Sequence, residues 1–99
     1  MESFNDVISS NQPVLVDFYA TWCGPCKTMH PILSELKQQT GDRLRIIKVD
    51  VDRYQETAQR FNVQAVPTLM LFRNGQCLWR QSGALPLHEL NAALAPFIG

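Results

Sequence analysis

Two cysteines separated by two residues, Cys23 and Cys26, lie in the hexapeptide Trp22-Cys23-Gly24-Pro25-Cys26-Lys27 of a 99-residue chain. Thiols at that spacing can close into a disulfide and reopen with little backbone movement. They follow the apolar run Val14-Leu15-Val16-Asp17-Phe18-Tyr19-Ala20 and open a stretch with helical periodicity. A strand feeding a helix through such a loop sets the first cysteine at the helix N-terminus. Unpaired N–H groups and the positive end of the helix dipole favour an anion there. For cysteine that anion is the thiolate, the nucleophilic form. Cys23 is therefore the candidate nucleophile, with its sulfur expected to face solvent. Cys26, one helical turn inward, is expected to be buried and protonated until a base takes its proton, and then to attack the Cys23 sulfur. Gly24 and Pro25 hold the loop between them. The competing reading is a structural zinc pair. Three cysteines with no second C-x-x-C fall short of the usual four ligands.

Asp17 is the one charged residue in the apolar strand. Burial there raises a carboxyl's pKa and makes it a plausible proton acceptor for Cys26, directly or through water. The alternative is an aspartate facing out of an edge strand. Lys27 reads as solvated. His30, four residues after Cys26, shares its helical face and reads as a neighbour. Cys77, beside Leu78 and Trp79, reads as a small buried apolar group. His88 carries no visible signal.

The elements that position these residues follow from periodicity. Phe4, Val7 and Ile8 mark a short amphipathic helix over residues 2–10. Residues 14–20, after Pro13, read as a strand covered on both faces. Met29, Ile32, Leu33 and Leu36 predict a helix over 24–40, kinked at Pro31 and stopped by Gly41. A second strand over 43–50 follows, with Leu44, Ile46, Ile47 and Val49 buried. Strand–helix–strand implies a right-handed parallel crossover. Residues 53–61 form a short helix with either Tyr54, Ala58 and Phe61 or Thr57 and Phe61 inward. Thr68 to Arg73 and Gln76 to Ser82 pair around Asn74-Gly75, a strong hairpin signal. Residues 86–97 close the chain as a helix. The expectation is one domain, 1–99, of α/β class: a mixed sheet of about four strands with helices on both faces.

Composition narrows the function. Hydrophobic residues make up 45% and charged residues 18%, with zero formal net charge. The charge balance argues against a nucleic-acid or membrane-surface role. No apolar stretch nears the roughly 20 residues of a membrane span. The N-terminal residues lack the pattern of a secretory signal, so a cytoplasmic protein is expected.

The segments Trp22–Lys27, Val16-Asp17-Phe18-Tyr19-Ala20, Ala65-Val66-Pro67-Thr68, Phe72-Arg73-Asn74-Gly75-Gln76 and Ser82-Gly83-Ala84 together resemble the thioredoxin family, with which the cysteine spacing is already associated. They stand in the family's order and spacing over nearly the whole chain. The resemblance implies the thioredoxin fold and protein-disulfide reductase activity, with Cys23 as nucleophile and Cys26 as resolving residue. It implies Lys48 as the lysine near the Asp17 carboxylate. It further implies a cis bond before Pro67, and a docking rim of Trp22, Val66, Gly83 and Ala84 around Cys23. Pro67 read alone is also compatible with a trans proline starting a strand, and Trp22 with a core position. The implied partners are thioredoxin reductase and disulfide-containing target proteins, with no bound cofactor. Two departures stand out: the chain begins at the family's first helix, without the usual preceding strand, and Tyr19 replaces a common tryptophan. Strand 43–50 then becomes a sheet edge, with Arg43, Arg45 and Lys48 protecting it by charge, and a monomer is expected. Competing functions are an oxidase or isomerase of an oxidising compartment, and a binding module that uses the rim without electron transfer.

Overall fold

The computed structural model describes residues 1–98. Helix α1 (Phe4–Ile8) is started by a capping box, in which the Ser3 and Asp6 side chains each accept the other's backbone N–H. Strand β1 (Val14–Tyr19) follows, then α2 (Gly24–Thr40), which runs through Pro31 as one helix, and a 3-10 turn (Gly41–Arg43). Strand β2 (Arg45–Asp50), helix α3 (Gln55–Arg60), strands β3 (Thr68–Arg73) and β4 (Gln76–Ser82) and helix α4 (Leu87–Ile98) complete the order. The four strands lie in the order β2-β1-β3-β4. β1 runs parallel to β2 and antiparallel to β3, and β3–β4 is the hairpin expected at Asn74-Gly75. Asn74 and Gly75 both take positive φ, +53° and +79°, as the tight turn requires.

β1 is central, and its alternation sorts the core. Leu15 faces α2 and α4, packing with Met29, Leu33, Leu69, Leu90 and Leu94. Val14, Val16 and Phe18 face the other way, toward α1. On that side Phe4, Phe18, Phe61 and Phe72 form an aromatic cluster, with ring centroids 5.2 Å apart for Phe61 and Phe72. By the same period of two, Asp17 lies on the face of Leu15, under the helix that carries the cysteines. The fold thus delivers its buried carboxyl and its two sulfurs to one side of the sheet.

Three sequence expectations are corrected. Tyr54 is 49% exposed as the N-cap of α3, so it is not a core residue; Ala58 holds that helix down. Cys77 is exposed, because β4 is an edge strand and a register shift at Leu71/Phe72 sets Cys77 opposite Phe72. Ile46 and Ile47 of β2 are only half-buried, since that strand is the other edge. The arginines at the start of this edge make local contacts. Arg45 makes a two-pronged ion pair with Glu2 at 2.9 and 3.1 Å, and the Arg43 guanidinium donates to the carbonyls of Gln39 and Thr40.

Candidate functional site

Cys23 is the N-cap of α2, with extended backbone at φ −89° and ψ 116°. Its Sγ accepts the backbone N–H of Cys26 at 3.2 Å, as a capping side chain does. Pro25 in the first turn has no N–H to compete for that role. Cys23 and Cys26 are joined in a disulfide, with Cα atoms 5.3 Å apart. Both sulfurs are therefore committed to each other. An N–H and a helix dipole aimed at Cys23 Sγ in this way favour a thiolate there once the disulfide is reduced.

The expected contrast in exposure is not present in the oxidised state: Cys23 is 4% exposed and Cys26 5%. The closed ring tucks Cys23 against the loop before β3, where its Sγ lies 3.5 Å from the Val66 carbonyl oxygen. The Val66–Pro67 peptide is cis. Pro67 is buried, and its carbonyl accepts the N–H of Gly83 at 2.8 Å. Gly83, at φ +93°, turns the chain out of β4 beside that loop, with Ala84 exposed next to it. Gly24 and Pro25 are exposed at the helix head.

Trp22 is 70% exposed, which removes the core reading. Its indole N–H donates to Asp52 Oδ2 at 2.8 Å. Together with Val66 it borders a groove of about 290 Å³ whose other walls are Val51, Val63, Gln64 and Ala65. The rim expected from the sequence is thus extended on the Val66 side by the 63–65 segment. Asp52 is not legible as a site residue in the sequence, because only the fold brings it across 30 positions to the indole.

Asp17 is fully buried, and neither carboxylate oxygen has a hydrogen-bond partner. Burial pushes its pKa from 3.8 up to about 6, while the charge of Lys48 pulls the other way. The edge-strand alternative is therefore excluded. Lys48 is the register partner of Asp17 across β1 and β2. Its side chain is exposed, with Nζ 4.9 Å from the Tyr19 ring centroid and 2.7 Å from His30 Nδ1. Tyr19, Cys26, Lys27, His30 and Lys48 line a second cleft, of about 310 Å³. So Cys26, buried as predicted, still borders an opening. The site can hold an anionic sulfur at a helix head and return it to a disulfide, with a weakly acidic buried carboxyl on the same sheet face.

Comparison with known proteins agrees with this geometry. The sequence model of the family described as Thioredoxin matches residues 1–96. The chain is 46% identical over 89 residues to the chloroplastic thioredoxin Y of Oryza sativa subsp. japonica, covering 89% of this chain and 53% of that protein. It is 51% identical over 81 residues to a bifunctional thioredoxin reductase/thioredoxin of Mycobacterium leprae, covering 82% of this chain and 18% of that protein. The crystal structure of Malassezia sympodialis thioredoxin superposes with a TM-score of 0.89 at 36% identity, covering 97% of this chain and 86% of that one. The chain spans about half the length of the first curated relatives it matches.

Proposed function

The chain belongs to the thioredoxin family, and from that premise we propose that it is a thioredoxin-type protein-disulfide reductase. The observation that carries this reading is the disulfide at the head of α2, with the Cys26 N–H on Cys23 Sγ. In the reduced protein the Cys23 thiolate attacks one sulfur of a target disulfide. The target S–S bond breaks, a Cys23–target mixed disulfide forms, and the other target sulfur leaves as a thiolate that takes a proton. Cys26 then gives up its proton, with Asp17 as the acceptor, and attacks Cys23 Sγ. The Cys23–target bond breaks, the second target thiol departs, and the Cys23–Cys26 disulfide is left. Two electrons have passed to the target. Lys48 moderates the proton affinity of Asp17, and Trp22, Val66, Gly83 and Ala84 shape the docking rim.

Recharging requires a donor of two electrons and two protons. Thioredoxin reductase is the donor in this reading, supported by family membership and by a relative in which both activities share one name. Targets are proteins that form disulfides in their own cycles. A cytoplasmic monomer is the accompanying proposal, supported by the free, exposed Cys77 thiol, which suits a reducing compartment.

Insulin reduction, driven by dithiothreitol, tests the reading. The native protein accelerates it, Cys23→Ser abolishes the acceleration, and Cys26→Ser accumulates a covalent adduct through Cys23. A Cys23→Ser protein as active as the native one would overturn it.

A further inference from the structure

We propose that His30 is a positioning residue for the exchange reaction, acting through Lys48: its imidazole holds the Lys48 ammonium at the mouth of the cleft that opens onto Cys26. The consequence for turnover rests on the reductase reading; the contact itself does not. An ammonium has only donors, so at 2.7 Å His30 Nδ1 must be the accepting atom, and its proton sits on Nε2. The ammonium is thereby held from two sides, by an imidazole on α2 and by the Tyr19 ring on β1, 4.9 Å from its centroid. Without such a hold, an exposed lysine spreads over many rotamers and its charge is averaged into solvent. Lys48 is the register partner of Asp17, so where its charge resides sets how strongly it favours the ionised carboxyl.

The helical period explains why His30 is available. Four residues after Cys26, it projects over the same cleft, which Cys26, His30 and Lys48 all line. The other charged and titratable groups lining the clefts that His30 borders are Lys27 and Lys37 on α2, Lys48 on β2 and Tyr19 on β1, with Asp17 and Asp50 the register partners of Lys48 and Tyr19. Lys37 is occupied by the carbonyls of Gly41 and Leu44, at 2.8 and 2.7 Å. Asp50 Oδ1 accepts the Asp52 N–H at 3.0 Å. Lys48 is the group among these that His30 engages directly.

The Asp17 carboxyl, followed by carbon-detected NMR titration of the oxidised protein, reads the effect directly. His30→Ala should raise its midpoint by about 0.2–0.7 of a pH unit, the range an exposed charge contact commands. His30→Gln, which keeps an accepting atom, should leave it near the native value. In a Lys48→Met background, His30→Ala should add no further shift. In the reduced protein, the pH at which the resolving step accelerates should move upward with the midpoint. An unmoved midpoint in His30→Ala, a glutamine variant displaced as far as the alanine one, or an equal shift without Lys48 would each overturn the proposal. The titration needs no disulfide target, so it reports on His30 even if insulin reduction fails.

Discussion

Replacing Asp17 with asparagine should make the protein's stability far less dependent on pH. The carboxyl is buried with both oxygens unpartnered, and its pKa stands at about 6 against an ordinary 3.8. At about 1.4 kcal/mol per pH unit, ionising this group opposes the fold by about 3 kcal/mol relative to the unfolded chain. The folded value lies above the unfolded one, so the folded state holds the proton more tightly. That contribution is fully present below about pH 4 and is lost as pH rises through about 6. The amide of the Asp17→Asn variant cannot ionise. The variant's advantage over the native protein in unfolding free energy should therefore grow by about 2.5 kcal/mol between about pH 4 and about pH 8. Glu2 and Asp6, whose carboxyls are held below the usual range by hydrogen bonds from the Arg45 side chain and the Ser3 backbone, titrate alike in both proteins and cancel. So does the constant cost of burying the amide. Urea unfolding of both oxidised proteins at the two pH values, with matching denaturant slopes, measures the difference. A difference that does not change with pH would mean that Asp17 binds its proton equally in the folded and unfolded chains.

Two other substitutions probe the rim and the frame. Asp52→Ala removes the acceptor of the Trp22 indole and should lower kcat/KM for a protein disulfide about fivefold, mostly through KM; Asp52→Asn should restore most of it. Unchanged kinetics in the alanine variant would remove Asp52 from the rim. Ser3→Ala breaks the reciprocal cap of α1 and should cost about 1 kcal/mol in urea unfolding while leaving insulin reduction at its native rate. A loss below the error of the measurement would mean the cap does not hold α1 in place.

The sequence carries the site where the chemistry is local and loses it where the fold does the work. Cys23 as a helix cap follows from strand–loop–helix order, and Asp17 from a charge inside an apolar run. The hairpin at Asn74-Gly75 follows from two residues that accept positive φ. Asp52 and the His30–Lys48 pair are not legible, because each joins elements far apart in the chain. Cys77 departs from its expected burial because an apolar neighbourhood in sequence does not say which strand is an edge. Tyr54 departs for a related reason: on a six-residue helix, one turn of slack decides whether an aromatic ring faces in or caps the end. Open exposure at Cys23 does not hold because the closed disulfide and the Val66 carbonyl together cover it.

In the proposed cycle the head of α2 makes one sulfur anionic and reactive while its partner waits. Timed alkylation of the fully reduced native protein with iodoacetamide, carried out at mildly acidic pH and mapped by mass spectrometry, tells the two sulfurs apart. The exposed Cys77 serves as a reference thiol in the same chain. Cys23 should be modified first, at a pH well below the ordinary thiol value of about 8.5, with Cys26 and Cys77 lagging. Equal, slow modification of Cys23 and Cys26, or a Cys23 no faster than Cys77, would mean that the helix head activates neither sulfur.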